Sequence, residues 1–104
     1  MVKILEYVQV SNFAPTQWMG ITESDEGVYI RYRNNKLIIK IGENPVKGEI
    51  IYEKTHNLEG NHSGIMSTLE LYQILSDNAD IELKMENETR KTELSPKLNE
   101  ILST

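Results

Sequence analysis

Arg31, Arg33, Lys36 and Lys40 flank the pair Asn34-Asn35, with Tyr29 and Ile38 in the same alternating series. A guanidinium presents a planar fork of donors that grips a carboxylate or phosphate at two points, and a tyrosine ring beside it stacks a base. Brought to one surface, Tyr29, Arg31, Arg33, Lys36 and Lys40 would take the acidic patch of a partner protein or an anionic small molecule such as a nucleotide. The plainer reading is a solvated strand surface. Strands carry Lys and Arg to discourage edge-to-edge aggregation, and Glu23, Glu26, Glu49 or Glu53 would neutralise them.

Three other groupings invite chemistry. His56-x-x-Glu59-x-x-His62 supplies two imidazoles and a carboxylate, the ligand types of zinc or iron, and would serve a metal-dependent enzyme. Metallohydrolase helices need histidines four apart to share a face, however, and Asn57, Gly60 and Asn61 oppose a helix here, so a polar surface loop without bound metal is expected. Asp77, Asp80, Glu82, Glu86, Glu88 and Glu93 form an acidic series that would imitate a nucleic-acid backbone if gathered on one face, although Lys84, Arg90 and Lys91 interrupt it. The serines lie in no nucleophile elbow, and no glycine-rich loop leads from a strand into a helix. The chain therefore reads as non-catalytic and without a cofactor.

The basic group depends on a hairpin to position it. Val28, Ile30 and Tyr32 alternate with Tyr29, Arg31 and Arg33, while Leu37, Ile39 and Ile41 alternate with Ile38 and Lys40, the period of strands with one buried face. Asn34-Asn35 suits a two-residue type I′ turn, because asparagine tolerates the positive φ that such a turn demands. That turn sets Tyr32 opposite Leu37, Ile30 opposite Ile39 and Val28 opposite Ile41 in the core. It leaves the pairs Arg33 with Lys36, Arg31 with Ile38 and Tyr29 with Lys40 outside. A slip of one residue would oppose charges to the apolar row.

Upstream, residues 2–10 favour a strand over a short helix, with Val2, Ile4, Val8 and Val10 alternating around an interrupting Glu6. A strand through Trp18 joins the hairpin by a loop of four or five residues between Glu23 and Gly27, with Gly27 available for positive φ. Five residues would place Trp18 in the core, the favoured outcome for the only tryptophan, and four would place it outside. Downstream, residues 49–54 read as a strand with Ile50 and Tyr52 on one side and Ile51 on the other. Ser67-Thr68-Leu69-Glu70 is a capping box that opens a helix over 67–76, with Leu69, Tyr72 and Leu75 inward beside Leu71 and Ile74. The alternation of Leu69 and Leu71 leaves a strand as the other reading. Residues 81–86 alternate as a strand, and Ser95-Pro96 opens a short terminal helix through Leu98, Ile101 and Leu102.

The order of these segments predicts an α+β fold: an antiparallel sheet of about five strands around a central meander, with both helices packed on one face. The chain's 104 residues form one domain, 1–104, with 38% apolar and 26% charged residues. Zero cysteines exclude disulfides and thiolate chemistry. The formal charge of −5 is unevenly placed, since residues 1–54 hold seven basic and seven acidic side chains and residues 55–104 hold four and nine. That balance argues against a duplex nucleic-acid partner. No apolar run is long enough to cross a bilayer, and Glu6 interrupts any signal-peptide core, so a cytoplasmic setting is expected. Exposed Ile38 and Ile51 hint at self-association.

Pro15-x-Gln17-Trp18-x-Gly20-x-Thr22, followed by Tyr29-x-Arg31-Tyr32-Arg33 and an apolar strand, resembles a pattern in small uncharacterised bacterial and phage proteins. It covers about a quarter of the chain, which departs from it in carrying Asn34-Asn35 where those proteins often carry Trp-Gly. The resemblance implies a shared strand meander and brings no activity with it. The expectation is a small accessory protein of bacterial or phage type that binds or inhibits a protein partner. Next in rank is an anionic-ligand binder using Tyr29, Arg31 and Arg33, and after it a metal-dependent enzyme using His56, Glu59 and His62.

Overall fold

A computed structural model of the chain describes residues 1–12, 15–56, 65–77, 80–84, 87–89 and 93–103. It is an α+β structure whose strands are β1 (Val2–Asn12), β2 (Thr16–Thr22), β3 (Gly27–Arg33), β4 (Lys36–Gly42), β5 (Glu49–Thr55) and β6 (Ile81–Leu83). Helix α1 (Thr68–Ser76) falls between β5 and β6, and α2 (Pro96–Leu102) follows β6. The strands form one sheet in the order β5-β4-β3-β2-β1-β6. The first five run antiparallel as a meander; the sixth, beyond the five expected, pairs parallel to β1 through Val2↔Ile81 and Ile4↔Leu83.

The β3–β4 hairpin has the register its pattern demands, from Arg33↔Lys36 through Arg31↔Ile38 to Val28↔Ile41. Asn34 and Asn35 take φ of 52° and 62°, the pair of positive values that defines a type I′ turn. The preceding loop is shorter than either length expected. Thr22 N–H donates to the Glu26 carbonyl (2.9 Å), which leaves only Glu23, Ser24 and Asp25 in the loop. Asp25, rather than Gly27, takes the positive φ, at 62°. The Thr22 hydroxyl accepts from the Ser24 and Glu26 N–H groups, so the threonine braces the turn from inside. Trp18 consequently faces Ile30 and is fully buried. Gly27 serves packing instead, since a Cβ there would lie 2.9 Å from the Pro45 ring.

The sheet has an apolar cluster on each face, and this corrects the expectation that both helices share one. Trp18, Ile30, Tyr32, Leu37 and Ile39 pack with Leu71 and Leu75 of α1 on what we call the inner face. Val8, Ile21, Val10 and Met19 pack with Leu98 and Ile101 of α2 on the outer face. The cause lies in β1, where a register shift between Ile4 and Glu6 makes Leu5 an extra residue. Such a bulge reverses the alternation. Val2, Ile4 and Tyr7 therefore face inward while Val8 and Val10 face outward, giving α2 an apolar landing. Glu6, the interruption in the sequence pattern, faces outward and accepts the Ser95 N–H (3.1 Å) at the cap of α2.

The capping box is formed in full, with Glu70 N–H donating to Ser67 Oγ (3.1 Å) and Ser67 N–H to Glu70 Oε1 (2.9 Å). The inward stripe of α1 is Leu71 and Leu75 with Ile74 beside them; Leu69 and Tyr72, expected inside, are exposed. Another register shift, between Ile39 and Lys40, makes Ile51 the extra residue of β5. Ile51 and Tyr52 therefore pack together against the inner cluster and Ile50 faces outward, correcting the alternation expected there. Among the described residues no helix is long and apolar enough to cross a membrane.

Candidate functional site

Tyr29, Arg31 and Arg33 on β3, and Lys36, Ile38 and Lys40 on β4, do share the outer face, because each occupies the pleat position opposite the buried row of the hairpin. Helix α2 covers the β1–β2 side of this face, and the 3₁₀ turn Pro45–Lys47 packs near its far end, against Gly27. What remains open is a concave surface of about 410 Å³ lined by Arg31, Arg33, Asn34, Lys36 and Ile38. Asn34 is the lining residue that sequence reasoning missed, having been read only for its backbone role in the turn. Its placement follows once the turn is placed.

The surroundings divide the five residues. Tyr29 is 8% exposed, and its hydroxyl accepts from Gln17 Nε2 (2.8 Å), so its ring lies in the sheet surface rather than above it. Lys40 donates to the Val46 carbonyl (3.3 Å). Lys36 lies 3.8 Å from Glu53 Oε2, an exposed pair; of the four glutamates expected to neutralise the patch, this one does so. Arg31 is half-buried, Arg33 is exposed, and neither has an ion-pair partner among the described residues. Ile38 is 8% exposed although the sequence suggested an open side chain. Its cross-strand neighbours are Arg31 and Glu53. The site is thus an apolar floor with two guanidinium forks along one wall.

His56 follows β5 and is held by its neighbours. Its ring stacks on Tyr52 at 6.0 Å, its Nε2 lies 2.6 Å from the Tyr52 hydroxyl, and its carbonyl accepts from the Tyr32 hydroxyl (2.5 Å). Burial, and then the charge of Lys54, hold its pKa below the ordinary histidine value. Glu59 and His62 lie outside the described residues, and among those described no three acidic or imidazole groups gather as a metal would need.

The acidic series is dispersed. Glu88 accepts from the Thr68 hydroxyl (2.8 Å) beside α1 on the inner side, whereas Glu82 lies between inward-facing Ile81 and Leu83 and so points outward. Asp77 and Asp80 are exposed at the end of α1 and the start of β6, Glu93 is exposed ahead of α2, and Glu86 is outside the described residues. A cavity not foreseen, of about 310 Å³, opens between α1 and β6 with Tyr72, Leu75, Ile81 and Leu83 in its wall. Among the described residues Lys84 is the one cationic side chain that lines it.

Fold and site together define a small α+β protein whose meander offers a cationic groove on an acidic chain. The chain matches no known family model, no curated protein and no solved structure.

Proposed function

We propose that the protein is a non-catalytic binding module that engages an acidic surface of a partner protein through Arg31 and Arg33. The observation that carries this reading is that, among the described residues, both guanidinium groups lack a counter-ion while flanking a groove floored by Ile38. Arginine beside a covered apolar residue is the composition of interface anchors: the fork supplies direction and the apolar floor supplies the desolvated contact. Asn34 adds an amide at the groove's end. A rigid two-residue turn presents the group with little ordering cost on binding.

Capture from a host lysate with two baits tests this. A partner retained by the wild type and lost with Arg31→Glu/Arg33→Glu supports the reading, and identical sets of retained proteins reject it. The volume of the groove, about 410 Å³, also suits a small anionic ligand, which is the second reading. With Tyr29 buried, such a ligand would be held by charge on the two arginines and not by stacking. Nucleotides or inorganic phosphate that raise the melting temperature of the wild type, but not of Arg31→Ala, would favour it over a protein partner.

A further inference from the structure

We infer that the outer edge of β5 is a self-association surface on which a second copy of this chain adds its own β5 antiparallel, in one register only. The strand closes one side of the sheet and, among the described residues, no other strand pairs with its outer edge. A seven-residue edge strand is a template for another strand unless its side chains forbid it.

The register follows from the bulge. Glu49 lies opposite Ile41 and Lys54 opposite Leu37, so both face inward with Ile51 and Tyr52. Ile50 lies opposite Lys40 and Glu53 opposite Ile38, so these two face outward. Residues paired across two antiparallel strands must point to the same side of the sheet. Because Ile51 and Tyr52 share a side, the fully matched two-fold pairing sets Glu49 against Lys54 of the other copy, Ile50 against Glu53, and Ile51 against Tyr52. Shifting either way by one residue pairs inward with outward side chains. The permitted register brings two opposite-charge pairs together at the ends of the ribbon and an apolar group to its centre. Ile50, 49% exposed in the single chain, gains a neighbour. Glu49 and Lys54 thus select one pairing, whereas a strand edge charged only for protection has no reason to be self-complementary.

In such a dimer both outer faces point the same way. The two Arg31 side chains would stand five strand spacings apart, roughly 24 Å, ready for a partner with two acidic patches. That consequence rests on the proposed binding role; the pairing itself does not, and mass alone tests it.

Sedimentation of the full chain over concentrations up to about 1 mM is expected to show mass rising from 12.0 kDa toward twice that value. Glu49→Lys alone or Lys54→Glu alone should weaken self-association about tenfold, since each opposes like charges at both ends. Both positions are exposed, so circular dichroism should show each variant folded. Mixing the two variants should restore a heterodimer. At one end of its ribbon the introduced lysine meets the introduced glutamate, and at the other the native Lys54 of the first variant meets the native Glu49 of the second. A wild type that stays at 12.0 kDa throughout overturns the inference, as does a dimer indifferent to both reversals or one that mixing fails to restore.

Discussion

The two faces of the sheet are held by different means. On the inner face a single apolar cluster runs from Ile4 across the meander to Leu75, and polar groups fasten its rim: the Trp18 indole N–H donates to Thr68 Oγ1 (3.1 Å) and Met66 N–H to Thr16 Oγ1 (3.1 Å). On the outer face a smaller cluster under α2 occupies the β1–β2 side, and among the described residues the hairpin side has no α-helix over it, only the 3₁₀ turn at its far end. The long charged side chains there are partly occupied, Lys36 by Glu53 and Lys40 by a backbone carbonyl, which leaves the two arginines. The contrast teaches that core packing and surface charge are separable in this molecule: the inner face can hold the hairpin while the outer face keeps its two arginines open.

The largest effect should come from the inner face. Trp18→Ala removes a fully buried ring and its bond to Thr68, and a loss of about 3–5 kcal/mol is expected in denaturant unfolding. Leu98→Ala, at an equally buried position on the outer side, should cost less, about 2–3 kcal/mol, because so small a cluster under a seven-residue helix can close over the gap. Equal losses would mean that the outer cluster is as integral to the fold as the inner one, and the contrast would fail.

Smaller again is the turn that joins the two faces' roles. Asn35→Val forces a β-branched residue into positive φ and should destabilise by about 1–2 kcal/mol, while Asn35→Gly should be tolerated. The hairpin was legible because turn chemistry and period-2 pattern are local and agree with each other. The shifts in β1 and β5 were not. A bulge leaves the composition unchanged and reverses only the facing, so Val8 and Val10 looked like partners of Ile4, and the second apolar face went unseen. The three-residue loop was missed because its positive φ falls on Asp25, close to a glycine that looked better suited. At the site, Arg31 and Arg33 could be placed on one face from spacing. That Tyr29 is covered and Lys36 is paired depends on Gln17 and Glu53 from neighbouring strands, whose registers the sequence leaves open.

The outer arginines should barely register in stability. Arg31→Ala/Arg33→Ala is expected to stay within about 0.5 kcal/mol of the wild type, since neither side chain has an ion pair among the described residues. A larger loss would mean that their stems carry packing over Ile38 and would blur the division between the two faces.

The smallest expected effect is a pH dependence at the rim, where β5 ends. His56 has its pKa lowered in the folded protein by burial and then by Lys54, so the unfolded chain binds the proton more readily. Stability contributed by the neutral ring is then complete above about pH 6.5, the ordinary histidine value, and declines as pH falls from there through the lower folded value. In the neutral form the tautomer decides whether Nε2 accepts from the Tyr52 hydroxyl or donates to it, whereas in the protonated ring Nε2 can only donate and the hydroxyl must accept. The half-buried setting keeps the effect to a slight fall in melting temperature on acidification from neutral pH. It is read by comparing melting curves with those of His56→Gln, in which this part of the slope should vanish. A slope that survives the substitution unchanged would assign the titration to another group and remove His56 from the account of how the rim is held.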